Sequence, residues 1–174
     1  RPLIPILDRM HDVGIKVDNV YLKKLSVEYH VELEKLQTNI YKEAGGEFNI
    51  NSPKQLGEIL FVKMGLKAKG QKKTAGGAMS TRESELEKLK DLHPIIAHIL
   101  DYRELQKLLS TYIDSIPTLI AEDGRLHTTF IQTGAVTGRM ASHNPNLQNI
   151  PIKSELGRNI RHAFVAEKGF ELVA

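Results

Sequence analysis

The chain has no cysteine, so neither a disulfide framework nor a thiolate metal site can hold it together, which fits a reducing compartment. It has no apolar run near the roughly 18 residues that a membrane span needs. Its first residues, Arg-Pro-Leu-Ile-Pro, do not read as a signal peptide, having no apolar stretch and cleavage site. The glycine-rich phosphate loops of P-loop and dinucleotide-binding proteins are missing. Ser142 and His143 are adjacent, yet nothing marks the base-orienting acid or oxyanion site that a hydrolase also requires. His98 and Asp101 make a weak metal pair, better read as surface chemistry. Excess charge is small too: a net +3 over 174 residues does not by itself announce a polyanionic partner.

What is present describes a globular chain, 41% hydrophobic and 26% charged, long enough for one ordinary core or for a compact domain with a second piece attached. The charge is unevenly placed. Between Glu58 and Glu83 lie Lys63, Lys67, Lys69, Lys72, Lys73 and Arg82 with no acid among them. From Arg125 to Phe164 the cations Arg125, Arg139, Lys153, Arg158 and Arg161 face the single acid Glu155. A polyanion would find two basic territories here. For Lys69 to Lys73 taken alone, a solvated, mobile loop is the better reading.

Periodicity sets out the helices. Asp18 or Asn19 caps a long one in which Leu22, Leu25, Tyr29, Leu33, Leu36 and Ile40 recur at spacings of three and four, and Gly45-Gly46 ends it. Ser52 as N-cap and Pro53 in the first turn open a second, with Leu56, Ile59, Leu60 and Met64 on one face and Gly65 as its stop. Residues 67–79, rich in glycine and lysine, read as a flexible basic loop. Ser80 and Glu83 have capping-box spacing for a third helix carrying Leu86, Leu89 and Leu92. After His93-Pro94 a fourth runs through Ile95, Ile96, Ile99, Leu105, Leu108, Leu109, Tyr112 and Ile113, which are assigned to the core. Beyond Ile116-Pro117 the period changes. Residues 118–120 and 126–131 flank Asp123-Gly124 and predict a hairpin, as do 164–166 and 170–173 around Lys168-Gly169, with a short helical turn near 154–159 between them. The expected fold class is therefore mainly α with a small β part: a helical unit over residues 1–116, then the start of an antiparallel sheet over 117–174 that looks incomplete.

Residues 137–151 read Thr-Gly-Arg-Met-Ala-Ser-His-Asn-Pro-Asn-Leu-Gln-Asn-Ile-Pro. Their prolines, glycine and asparagines forbid a continuous helix or central strand. One arginine and four side-chain amides can bond base edges and sugars. They can equally hold a surface turn in Asx conformations. Composition alone leaves these readings level.

The order of residues separates them. T-G-R-x-x-S-x-x-P-N-L-Q-N-I-P, followed by Ile160, Arg161, Ala163 and Phe164 as I-R-x-A-F, closely resembles the polymerase core of bacterial family A DNA polymerases, the DNA polymerase I type. R-P-L-I-P-I-L-D-R-M at residues 1–10, G-I-K-V-D at 14–18, F-N-I-N-S at 48–52 and Y-R-E-L-Q-K-L-L-S-T-Y at 102–112 resemble the same family, so the likeness covers essentially the whole chain.

The resemblance implies that residues 1–116 are a thumb subdomain, which grips the primer–template backbone, and that 117–174 begin the palm. It implies phosphate contacts for Asn49, Asn51 and Ser52 before the second helix and for Ser80 and Thr81 before the third, where backbone N–H groups at helix starts attract anions. Plain capping explains Ser52 and Ser80 in part as well. Arg103 and Lys107, one turn apart on the fourth helix, match positions that face the duplex near the primer end. Arg139 matches an arginine that meets the minor groove at the primer terminus. There, acceptors recur at almost the same place in every base pair, so a donor can test pair shape without reading sequence. Asn146, Gln148 and Asn149 match positions near template and primer sugars, and Lys153 a basic residue at the backbone.

In the resembled family the strand at 170–174 runs on into D-Y-S-Q-I-E-L-R, whose aspartate binds the catalytic metal ions. Two-metal phosphoryl transfer needs such carboxylates, and no candidate cluster for them stands in these residues. The expectation is thus a DNA-gripping portion of a DNA-directed DNA polymerase that works with magnesium, remaining palm and fingers, in the bacterial cytoplasm at the nucleoid. It would be inactive by itself and would belong to replication or repair. The alternatives are one half of a split polymerase completed in trans and a stand-alone, non-catalytic DNA-binding module.

Overall fold

A computed structural model describes residues 3–134 and 136–173. Contacts gather the chain into two compact units: Arg1–Glu28 with Lys107–Ala174, and Tyr29–Gln106. This grouping differs from the boundary expected between residues 116 and 117. The reason is non-local: an N-terminal strand supplies the middle of a sheet whose other strands lie beyond residue 120.

In the first unit, α1 (Ile4–Val13) ends at Gly14, with φ +60°; a Cβ there would stand 2.8 Å from His127 Nδ1 and from the Leu126 carbonyl oxygen, so only glycine fits. Strand β1 (Ile15–Val17) follows, then α2 (Asn19–Ala44). Further on, α5 (Pro94–Leu108) begins in the second unit and enters the first at Lys107, followed by its π-helical extension Leu109–Ile113, α6 (Ile116–Leu119), β2 (Arg125–Leu126), β3 (Thr129–Ile131), β4 (Ala141–His143), α7 (Glu155–Arg161) and β5 (Phe164–Val165). One antiparallel sheet has the order β2-β1-β5, with Ile15 opposite Leu126 and Val17 opposite Phe164. A second pairs β3 with β4, Phe130 opposite Ser142. Leu7, Leu22, Leu25, Leu109, Ile113, Leu126, Ile150 and Ile160 are buried here.

Neither expected hairpin forms. Pro117 sits in the first turn of α6, which takes residues 116–119 into a helix. Asp123-Gly124 does turn the chain, with Gly124 at φ +75° and its N–H on the Ala121 carbonyl at 2.9 Å, but β2 then pairs with β1. Likewise β5 pairs with β1, while Phe170, Leu172 and Val173 lie outside any strand and are exposed. Ala174, the end of that expected strand, lies outside the described residues. Two-residue strands carry too little alternation to name their partner, and the partner came from more than a hundred residues away. Arg125 leaves its basic territory: Nη1 pairs with Glu167 at 3.3 Å, while Nε and Nη2 donate to the Val13 and Gly14 carbonyls.

The long helix is as expected. The Asp18 carboxylate accepts the Tyr21 N–H at 2.9 Å, and Gly45 at φ +69° closes it after 26 residues, about 39 Å at 1.5 Å each. In the second unit its Leu36, Ile40 and Ala44 are buried, together with Leu56 and Leu60 of α3 (Pro53–Gly57) and its π-helical continuation Glu58–Lys63. Ile95, Ile96, Ile99 and Leu105 of α5 are buried too. Ser52 caps α3 by accepting the Gln55 N–H. Ser80 does not cap the third helix: α4 (Glu83–Leu86) starts after Arg82 and passes into a 3-10 turn, Glu87–Leu89. Leu92 is exposed. The basic loop is pinned rather than free-standing. Lys73 bridges Met79, Ser80 donates to the Lys72 carbonyl at 3.0 Å, and Thr74 to that of Ala78 at 2.7 Å.

Candidate nucleic-acid interface

In the second unit four of the residues singled out from sequence, Asn51, Ser80, Thr81 and Arg103, line one open cleft of about 1020 Å³. Phe61, Val62 and Met79 give it apolar surface, and Lys54, Glu58 and Arg82 line it with charge of both signs. The Asn51 side chain donates to Gln106 at 2.9 Å, and Asn49 Oδ1 accepts the Asn51 N–H at 3.0 Å. Gln55 reaches back to the Asn49 N–H at 2.7 Å. The turn before α3 is therefore tied down, with Asn49 and Ser52 held beside the cleft.

Ser80 and Thr81 have a different geometry from the helix-start donors expected of them. Both are buried, the Ser80 N–H is committed to Lys72, and the Ser80 hydroxyl accepts from the Arg82 N–H at 3.3 Å. The first turn of α4 carries Glu83 and Glu85, which oppose an anion there. Arg103 is half-buried and donates to the Thr81 carbonyl at 2.5 Å, and burial lowers its guanidinium pKa. This bond leaves other guanidinium N–H groups for the cleft.

In the first unit Lys107, near the end of α5, is exposed. The 137–151 stretch folds on its own amides. Ser142, one of the few buried polar residues, accepts the Leu147 N–H at 2.9 Å and donates to Asn146 Oδ1 at 3.4 Å. Asn146 Oδ1 also accepts the Gln148 N–H at 3.0 Å. Gln148 bonds at both ends, Nε2 to the Met140 carbonyl at 2.7 Å and Oε1 to the Ser142 N–H at 3.3 Å. So the turn-holding use of these amides is realised for Asn146 and Gln148, whose oxygens are engaged within the loop. Asn149 and Lys153 stay exposed, as does Arg139, carried between Gly138 (φ +75°) and the carbonyl that Gln148 clamps. Ser142→Ala is expected to cost about 1–2 kcal/mol in denaturant unfolding, the loss of a buried hydroxyl with two partners.

Sequence reading missed the residues that hold this loop from behind. Arg158 donates to the Ile152 and Lys153 carbonyls at 3.3 and 2.9 Å, Arg161 to that of Ile150 at 3.3 Å, and Thr128 to those of His143 and Pro145 at 3.1 and 2.7 Å. From sequence, Arg158 reads only as charge and Arg161 as charge and as part of the I-R-x-A-F motif; their spacing after Ser154, the N-cap of α7, was the available signal for a structural role. Among the described residues no group of three histidine, aspartate or glutamate side chains is placed to hold a metal ion.

The geometry can now be set beside known proteins. The model of DNA polymerase family A matches residues 19–174. The chain belongs to that family. As a family A sequence it is 51% identical over its whole length to DNA polymerase I of Deinococcus radiodurans and 48% to the thermostable DNA polymerase I of Thermus aquaticus, covering 18% and 21% of those proteins. The chain thus spans about a fifth of the length of these relatives. Among solved structures it resembles the POL domain of Pol1 from M. smegmatis, in complex with DNA primer-template and dNTP. The TM-score is 0.86 at 40% identity, over 95% of this chain and 29% of that one. The α+β architecture of the family A chain agrees with that neighbour. No helix among the described residues is long and apolar enough to cross a membrane.

Proposed function

We propose that this family A chain is the primer–template-holding portion of a DNA-directed DNA polymerase, a nucleotidyltransferase of replication or repair. The observation that carries the reading is the likeness, over 95% of the chain, to a polymerase domain solved with DNA primer-template and dNTP. The second unit would act as a thumb on the duplex backbone, with Asn49, Asn51, Ser52, Ser80, Thr81 and Arg103 around its cleft. Lys107 and the 137–151 loop would meet the duplex at the primer end: Arg139 as a minor-groove donor, Asn146, Gln148 and Asn149 near the sugars, Lys153 on a phosphate. For Asn146 the amide N–H groups are the end to assign to DNA, because its oxygen already holds the loop, whereas Gln148, bonded within the loop at both ends, has only the second N–H of its Nε2 to offer.

The chemistry itself would fall to other parts of the parent, including the carboxylates that hold magnesium. The remaining palm and fingers are the first expected protein partner, in the cytoplasm at the nucleoid. Exposure of Phe170, Leu172 and Val173, at 73%, 56% and 93%, favours such a partner over a free-standing module. A split polymerase completed in trans would use the same surface, and adding the missing part as a separate chain distinguishes it by restored extension.

Salt tests the grip. Affinity for primer–template should fall steeply as salt rises, since phosphate contacts release counterions. Lys107→Gln in the parent polymerase should reduce the slope of log K against log salt by about one. Salt-independent binding would sink the proposal, and an unchanged slope for Lys107→Gln would return that lysine to a solvated surface.

A further inference from the structure

Glu85 follows just after the acid-free basic stretch and is buried against it. Its side chain is 4% exposed, and one oxygen, Oε2, accepts two bonds of 2.8 Å, from the Lys72 N–H and from Lys88 Nζ. Lys88 Nζ in turn donates to the Gly70 carbonyl at 2.9 Å. A carboxylate is costly to bury unless paired and hydrogen-bonded; here both requirements are met by the loop it holds. Lys88, and after it the Lys72 N–H, keep its carboxyl below the usual carboxylate range, so it stays ionised. The consequence reaches the loop's cations. With Lys72 and Gly70 tied to α4 and its 3-10 continuation, and Lys73 bridged to Met79, the residues Lys72, Lys73 and Arg82 line a polar hollow of about 250 Å³ together with Thr74, Ser80, Ser84 and Glu85 itself.

We propose that Glu85 is a positioning residue for DNA binding: with Lys88 it latches the lysine-rich loop so that Lys72, Lys73 and Arg82 meet the duplex backbone as one ordered set. The inference rests on the primer–template-holding reading and adds to it cations and a latch that reading does not assign. Without the latch, the same lysines ride on a glycine-rich segment whose ordering must be paid for at each binding event. Ion pairing at the surface contributes little, but this pair is one-sidedly buried and closes a backbone bond as well.

The test uses the full parent polymerase on a defined primer–template. In Glu85→Gln, which keeps an acceptor for Lys72 but loses the charge that holds Lys88, KM for primer–template should rise about fivefold while kcat at saturating DNA moves less. The slope of log K against log salt should fall by about one to two. Hydrogen exchange at the Lys72 amide should quicken, and Glu85→Asp should recover part of the affinity. Lys88→Met, on the solvent side of the pair, should give the same slope change, and serves if Glu85→Gln folds poorly. A merely structural carboxylate would lower Tm with the slope intact, and that result in both variants would overturn the latch. Lys72→Ala with Lys73→Ala provides the separation: if this double variant lowers the slope but neither latch variant does, the inference about Glu85 fails alone. If the double variant leaves slope and affinity unchanged, the loop does not grip DNA and the proposal falls with it.

Discussion

Arg139→Ala in the parent polymerase is expected to lower kcat/KM for extension of a matched primer by roughly ten- to a hundredfold, with Tm unchanged. The size follows from losing one charge-assisted hydrogen bond, about 1.5–3 kcal/mol, where each 1.36 kcal/mol is tenfold in rate. The unchanged Tm follows from the fold: Arg139 is exposed, and the segment is held by Gly138, by the Gln148 bond to the Met140 carbonyl and by β4. A donor that tests minor-groove acceptors should also matter less when the primer terminus is mismatched. Comparing matched with mismatched primers therefore checks the role as well as the magnitude. Equal loss of activity and thermal stability would instead make Arg139 structural.

Gly157→Ala is expected to have the largest effect on stability. The new Cβ would stand 2.7 Å from both the Cβ and the carbonyl oxygen of Pro151, contacts that real methyl groups do not make. Backbone must move, because Pro151 is rigid and Gly157 is itself fixed by the Ser154 hydroxyl on its N–H at 3.1 Å. Overpacking of this kind costs about 1–3 kcal/mol and lowers Tm accordingly. The displacement would also carry Arg158 and Arg161 away from the carbonyls of Ile150, Ile152 and Lys153. Gly157→Ala should thus reduce both Tm and extension, whereas Arg139→Ala reduces extension alone. A Gly157→Ala protein with wild-type Tm would show that α7 can slide on Pro151.

These two variants mark how far the sequence could be read. Arg139 was visible from the order of residues around it. The glycine three residues after Ser154 carried no such mark, because its constraint comes from a proline on the other side of a turn. The same contrast holds elsewhere. Asp18 and Ser52 were recognised as caps, and each accepts the backbone N–H three residues on, as does Ser154, which was read only as the start of a helical turn. Ser80, with the same spacing before Glu83, is instead buried under the basic loop. A capping pattern is local, and here the Ser80 hydroxyl turns to the Arg82 N–H two residues on while the Ser80 N–H is taken by the Lys72 carbonyl.

By itself the sequence determined the long helices, the residues of their cores, most of their ends and the family A motif, since all of these are written within a turn or two of chain or in a fixed order of residues. The tertiary structure alone decided that β1 is the middle strand between β2 and β5, that Glu85 is buried to hold the lysine loop, and that the oxygens of Asn146 and Gln148 are spent within their own loop. The physical reason is the range of the interactions. Helix periodicity and capping act over three or four residues and leave a trace in the order of side chains. Strand pairing and the burial of a polar group are settled by whichever distant backbone arrives to satisfy it.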